Sequence, residues 1–317
     1  MVQFYKFKGK VVEKVEFKNS ADWIHICPPL NEEAFDSIAA ELGMPVDFIT
    51  DSLDIDERSR YEIEDTSKLI LINTPILNKS SKENEAIYTT VPIGIVILES
   101  QVVTITQEDN PIIERILEHR VKKFNPADRA SFVLHIFEQN VYWFLECLKK
   151  LNLKRNLIEE ELYNSSRNSE LQQLLKIEKS LVYFVNSLSA NDLLMMKMKR
   201  TDFLRIRDLE AHTEQFEDII IDNGQALEMS NVYTNILSGT MEAYASIISN
   251  NLNTFIHRLT IITIILMVPT LVSSFYGMNL DYLPFADHKF AFFILLAISV
   301  FLGIMLIVFL GRKGHGR

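Results

Sequence analysis

Two apolar runs, Leu259 to Leu280 and Phe290 to Leu310, constrain this chain more than any other feature. Neither contains Asp, Glu, Lys or Arg. Each is long enough, at about 1.5 Å of rise per residue, to cross a hydrocarbon core of about 30 Å as a helix. The sequence therefore predicts two transmembrane helices, with the short connection 281–289 turning at the far membrane surface. No charged group inside either run means no evident intramembrane proton relay. The tail 312–317 is basic, with Arg312, Lys313 and Arg317, and short basic flanks are retained on the cytoplasmic side. Two spans return both ends to one compartment. Met1 to Lys10 has no apolar core of signal-peptide length, so the larger, N-terminal part is expected in the cytoplasm and the whole chain in the cell (inner) membrane.

Charge separates along the chain. Of 32 Lys and Arg and 42 Asp and Glu, only Lys289, Arg312, Lys313, Arg317, Asp281 and Asp287 lie from 259 onward, so the preceding residues carry 28 against 40, a formal charge of −12. Such a balance disfavours nucleic acid and suits divalent cations, although many acidic surfaces only solvate. Cys27 and Cys147 are far apart and in no ligand spacing, which fits a reducing interior and two buried thiols.

The first third reads as short strands. Val2 to Phe7 and Val11 to Phe17, joined around Gly9, alternate as a hairpin, and Trp23 to Cys27 runs apolar into Pro28-Pro29, where a strand stops. Asn31 is a candidate N-cap for a helix carrying Glu32 and Glu33 in its first turn and stopping at Gly43. Arg60 to Ile63, Lys68 to Pro75, Tyr88 to Leu98 and Val102 to Thr106 are further strand candidates. Strands interleaved with helices imply an α/β or α+β module.

From about Asn110 the apolar period becomes helical. Phe132, Ile136, Phe137, Phe144, Leu145, Leu148 and Leu151, then Leu171, Leu174, Leu175, Leu181, Val185 and Leu188, recur at steps of three and four. Asn164 to Asn168 interrupts them, and a second break is expected near Asn191 or at Lys199-Arg200-Thr201. Between Ile206 and Pro269 no proline occurs, so one helix of some 70 residues, roughly 100 Å, could run from the cytoplasm into the bilayer. The chain then divides into an α/β part over 1–125, a helical part over 126–205, a stalk helix over 206–258, a first span over 259–280, a loop over 281–289, a second span over 290–311 and a basic tail over 312–317. A stalk of that length needs neighbours, so subunits are expected side by side.

Stepping by three and four from Asn253 gives Ile256, Thr260, Thr263, Met267, Thr270 and Ser274, a mixed apolar and hydroxyl face without charge. Such a face either packs small residues against other helices or lines a wet pore. Periodicity alone leaves both readings open. Tyr276-Gly277-Met278-Asn279 at its outer end favours the pore, because neutral amide, hydroxyl and carbonyl oxygens can hold a cation without trapping it. Mg2+ dehydrates reluctantly, so a filter for it would contact the ion's water shell.

Thr270 to Asn279, ending in Tyr-Gly-Met-Asn and followed by Asp281-Tyr282-Leu283-Pro284, resembles the CorA magnesium transporters. The string from Tyr244 to Asn253 and Leu259-Thr260-Ile261-Ile262 resembles them too. The resemblance implies a homopentamer in the lipid bilayer, with an α+β cytoplasmic domain built as an α/β/α funnel and a long stalk helix that continues as the pore-lining span. The second span is then peripheral. By the same resemblance, Gly277, Met278 and Asn279 receive hydrated Mg2+, and Asn253, Ile256, Leu259, Thr263, Met267 and Thr270 line or constrict the pore. Asp218, with Glu217 and Asp222 beside it, matches an acid that helps bind a regulatory Mg2+ between subunits; Glu64 and Asp65 are candidate partners. Arg258, Arg312 and Lys313 resemble a basic collar at the cytoplasmic membrane face. The family's usual Met-Pro-Glu-Leu is here Leu283-Pro284-Phe285-Ala286, so Asp281 or Asp287 would have to attract cations instead.

The bland readings are that Asn279 caps a helix, Met267 fills a lipid or core contact, and Glu217, Asp218 and Asp222 are solvated surface. Among functions, a Mg2+ channel gated by cytoplasmic Mg2+, open also to Co2+ or Ni2+, is the leading expectation. A ZntB-type zinc transporter is the alternative within the superfamily, although zinc favours His or Cys and the stripe has neither. A membrane-anchored enzyme or adaptor is the alternative of another class. Against an enzyme, the chain shows no phosphate-binding glycine loop and no Gly-x-Ser-x-Gly.

Overall fold

The computed structural model of the protein describes residues 1–8, 11–29, 32–79, 85–118, 128–164, 168–278, 284 and 289–314. The chain forms two compact units, Met1–Met241 and Glu242–Arg317.

The first unit is built on a seven-stranded sheet. Its strands are β1 (Val2–Lys8), β2 (Val11–Val15), β3 (Trp23–Ile26), β4 (Arg60–Glu64), β5 (Ser67–Leu77), β6 (Tyr88–Ile97) and β7 (Val102–Thr106), in the order β2-β1-β3-β7-β6-β5-β4. Two antiparallel blocks, β2-β1-β3 and β7-β6-β5-β4, meet at one parallel seam between β3 and β7. The crossover from β3 to β4 carries α1 (Phe35–Leu42) and α2 (Asp47–Leu53). Gly43 ends α1 in the left-handed region, φ 70°, which its lack of a Cβ permits. The expected cap Asn31, like Gly9 in the hairpin and Ser165 to Arg167 in the helical break, lies outside the described residues.

Alternation along the strands sends side chains to both faces, and both are covered by helices. Tyr5, Trp23, Ile70, Ile72, Ile93, Ile95 and Val102 pack with α3 (Pro111–Leu117), α4 (Arg129–Asn164) and α5 (Asn168–Thr201). Ile24, Ile26, Leu69, Leu71, Val96, Val103 and Ile105 pack with α1 and α2. This unit is a three-layer α/β/α sandwich. Helix α2 lies close over the sheet at Gly94 on β6, where an added Cβ would stand 1.9 Å from the Ser52 Oγ.

Two central strands contain proline, which the sheet tolerates because each lies where its strand has lost a neighbour. β4 pairs with β5 only as far as Leu71, and β7 pairs with β6 only as far as Ile93, leaving Asn73 to Pro75 and Pro92 beyond those ends. Helical side chains complete the edge of β5. Asn191 accepts from the Asn73 N–H at 3.0 Å and donates to the Asn73 carbonyl at 2.9 Å; Asn140 donates to the same carbonyl at 2.9 Å, and Trp143 donates to the Pro75 carbonyl at 2.7 Å. Asn191 is therefore no helix break: α5 runs unbroken through it to Thr201, where the second alternative placed the end.

After a 3-10 turn at Ile206–Asp208, α6 runs over 67 residues, Glu210–Tyr276, and passes through Pro269. It contains a stretch of mean hydropathy 2.0, long and apolar enough to cross a membrane. The expected span reached Leu280, but the helix ends at Tyr276, so Gly277 and Met278 stand beyond it. The last helix, α7, is Ala291–Gly314, with the apolar stretch Phe292–Leu306 inside it.

Candidate functional site

At about 100° per residue the two sides of α6 in the second unit separate cleanly. Ile261, Ile264, Ile265, Val268, Val272 and Tyr276 are the partly covered positions, and they recur at steps of three and four along one face. On α7 the covered positions are Ile294, Leu295, Ser299, Leu302, Gly303 and Leu306, again one face, with Ser299 and Gly303 the buried ones. The stripe Asn253, Ile256, Leu259, Thr263, Met267 and Thr270 lies on the opposite side of α6 and is exposed throughout. Met267 keeps 64 % of its surface and Leu259 53 %. A membrane-length helix thus carries one face covered within its own unit and one uncovered face with hydroxyls on it.

Those hydroxyls have a fixed polarity. Thr260, Thr263 and Thr270 donate to the carbonyls of Ile256, Leu259 and Leu266 at 2.8, 2.9 and 2.8 Å. A hydroxyl has one proton and two lone pairs, so with the proton committed to the helix it turns only acceptor capacity outward. Acceptors suit the outward-pointing hydrogens of a cation's water shell.

At the C-terminal end of α6 the Gly277 N–H donates to the Ser273 carbonyl at 2.9 Å and the Met278 N–H to the Phe275 carbonyl at 3.3 Å, closing the helix. A Cβ on Gly277 would approach the Ser273 oxygen to 3.3 Å. The Tyr276 phenol donates to the Pro284 carbonyl at 2.9 Å. Asn279, Asp281, Asp287 and the departures Leu283, Phe285 and Ala286 lie outside the described residues.

The stalk acids separate on inspection. Glu217 is ion-paired with Lys199 at 2.8 Å, so within the chain it is a structural partner and not a free ligand. Asp218 and Asp222 are exposed on α6. The Asp222 carboxyl is held above its ordinary range by partial burial, then by Asp218 and by Glu138 of α4. Glu138 was not legible as a member of this group, because 84 residues of sequence separate it from Asp222 and only the packing of α4 on α6 brings them near. Glu64 ends β4 and Asp65 occupies a turn at φ 50°. Among the described residues no three His, Cys, Asp or Glu side chains form a metal cage within one chain. Arg258 is exposed on α6, and Arg312 and Lys313 belong to α7.

With that geometry in hand, comparison with known proteins is decisive. The family described as CorA-like Mg2+ transporter protein matches residues 18–313. The chain belongs to that family. A cobalt/magnesium transport protein CorA of Methanocaldococcus jannaschii is 28% identical over 295 residues, 92% of this chain and 90% of that one. The complete structure of the CorA magnesium transporter from the same organism superposes with a TM-score of 0.78 at 24% identity, covering 98% of this chain and 96% of that chain. The cytoplasmic domain of ZntB from Vibrio parahaemolyticus shares the fold more distantly, with a TM-score of 0.58 at 11% identity over 78% of this chain. CorA-family membership makes the chain a divalent-cation transporter rather than an enzyme.

Proposed function

We propose that this CorA-family chain forms a pentameric channel for hydrated Mg2+ in the cell membrane, both termini cytoplasmic, with the uncovered stripe of α6 facing a common axis. The observation that carries the reading is the two-sidedness of α6: the face away from the covered Ile261 to Tyr276 positions is hydroxylated, uncharged and exposed in the single chain. The outward acceptor lone pairs of those hydroxyls find partners in water and none in lipid tails, which favours a wet axis for this face. Gly277, Met278 and Asn279 at its outer end receive the ion with its water shell, and Thr270 and Thr263 pass it on through acceptor oxygens. Met267, Leu259 and Ile256 are wide enough apart to admit water only when the helices splay, which makes a hydrophobic gate. Co2+ is a second cargo, since the curated relative is named for cobalt as well as magnesium. Cytoplasmic Mg2+ held at Asp218 and Asp222 closes the channel, and Arg258, Arg312 and Lys313 ring its cytoplasmic mouth.

Thiol labelling tests the stripe. The native thiols are silent: Cys147 is buried and its pKa is pushed up to about 12, and burial also raises Cys27. In the full-length protein in liposomes, Thr263→Cys and Thr270→Cys should react with a membrane-impermeant reagent, whereas Val268→Cys on the covered face and Ile262→Cys beside it should not. Equal labelling at all four positions would remove the pore assignment.

A further inference from the structure

The residues before 259 carry a formal charge of −12, yet one cavity of the first unit is lined by cations. It measures about 460 Å³ and lies at the end of the β5–β6 pair, where Lys68 stands directly opposite Ile97. Asp128, Arg129 and Ala130, at the start of α4, line it from one side, and Leu204, just past α5, from another. Arg205 follows Leu204 and is exposed beside the cavity. We propose that this cavity binds a small organic phosphate, with the phosphoryl group held by Lys68, Arg129 and Arg205 and the organic body against Ile97, Ala130 and Leu204.

The argument is one of uncompensated charge. Lys68 is half-buried, and its partners are neutral: its ammonium donates to the Phe203 carbonyl at 3.0 Å and stands 4.9 Å from the centre of the Phe203 ring. Arg129 donates to the carbonyls of Leu98, at 2.7 Å, and of Glu99, which leaves three of its five N–H donors. Among the described residues no carboxylate forms an ion pair with Lys68, Arg129 or Arg205. Asp128 is the one acid on the cavity wall, and it is engaged elsewhere: Oδ1 accepts from the Ala130 N–H at 3.0 Å, and Oδ2 lies 3.2 Å from the His212 Nε2. Burial, and after it the charge of Arg205, holds the Lys68 ammonium below its ordinary range, the opposite of what a matched carboxylate would do. A phosphoryl group supplies nearly two negative charges and three acceptor oxygens, which suits three cationic side chains with donors to spare better than a carboxylate does. The volume falls in the range of small-molecule sites, about 300 to 1,000 Å³, and leaves room beyond the phosphoryl group for a body. Ile97, Ala130 and Leu204 are partly buried against the core and give that body an apolar wall.

The test is calorimetric titration of the full-length protein in detergent micelles, free of divalent cations, with adenosine monophosphate, inorganic phosphate and adenosine as separate probes. Adenosine monophosphate should bind saturably, phosphate more weakly and adenosine not at all, and the binding should weaken as salt rises. Equal affinity for adenosine monophosphate and phosphate would overturn the apolar half of the proposal and make the free anion the ligand. Adenosine binding as tightly as its phosphate would overturn the phosphoryl half. Arg205→Ala removes an exposed side chain and should weaken adenosine monophosphate about tenfold or more while leaving the melting temperature of the unliganded protein unchanged. Lys68→Met keeps an apolar stem over Phe203 and should weaken it about tenfold to a hundredfold; the ligand should raise the melting temperature of the parent but not of this variant. Lys154→Met, on an exposed position of α4, removes the same charge away from the cavity and should bind as the parent does. The absence of saturable binding at millimolar probe, or equal weakening by Lys154→Met and Lys68→Met, would overturn the site.

Discussion

His25 is buried on β3, with Nδ1 2.9 Å from the Thr104 Oγ1 that also accepts from Trp23, and burial drives its pKa down to about 4. The neutral ring is the folded form. An unfolded histidine titrates near 6.5, so between about 6.5 and 4 the unfolded chain binds a proton that the folded chain refuses. Its contribution is therefore complete above pH 6.5 and is lost as the pH falls toward 4, by as much as about 3 kcal/mol. Thermal melts at pH 7.5, 6 and 5 should show the parent protein losing more stability on acidification than His25→Gln, although the variant starts lower for want of the Thr104 contact. Parallel losses would mean that the imidazole is hydrated and titrates normally. At the same scale, Thr260, Thr263 and Thr270 show why residue type alone is an incomplete guide. A threonine is donor and acceptor in the sequence, and only the helix, by using its proton, turns it into an acceptor.

At the scale of elements, the edge of β5 is completed by α4 and α5, and this suggests a direct measurement. Asn191→Leu matches the volume of the side chain closely but leaves the Asn73 N–H without its main partner and removes one of two donors to the Asn73 carbonyl. The loss should be about 2 to 3 kcal/mol in urea unfolding, against little change for the exposed Asn186→Ala on the same helix. Similar midpoints for the two variants would show that Ser59 and Asn140 suffice. The example also marks what was legible. The first hairpin announced itself by alternation, and β6 and β7 begin at the residues where the sequence placed them because strands covered on both faces demand apolar runs of that length. Asn191 misled because an asparagine amid apolar residues reads locally as a turn, while its partners sit 118 residues away on a strand. The proline-bearing ends of β5 and β6 were equally opaque: their tolerance depends on where β4 and β7 stop. The stripe on α6 was visible from spacing, but which face of the helix stays uncovered needed the structure, and the Tyr276 contact with Pro284 had no sequence signal beyond proximity.

On the scale of the whole molecule, charge and topology act together. The residues before 259 carry −12 in formal charge, and five copies side by side would repel through their acidic surfaces. Asp218 and Asp222 concentrate part of that repulsion on α6, where Glu138 adds to it and Asp222 already holds its proton more tightly than an isolated carboxyl. A divalent cation held there, as proposed, would relieve the repulsion in a state that brings the acids of several copies together, and a ligand that binds one state better shifts the population toward it. A differential of a few kcal/mol suffices to change opening by tenfold to a hundredfold. Asp218, Asp222 and the stripe proposed as the gate all belong to the one helix α6, Glu210–Tyr276. Asp218→Lys supplies a fixed positive charge in place of the ion and leaves the Lys199 to Glu217 pair beside it intact. Protection of the cytoplasmic part from limited proteolysis should rise with Mg2+ in the parent protein, with a midpoint that the variant lacks, and Mg2+ uptake by the variant should no longer fall as internal Mg2+ accumulates. Unchanged midpoints in both measurements would reduce Asp218 to a solvated acid and place the brake on transport elsewhere in the chain.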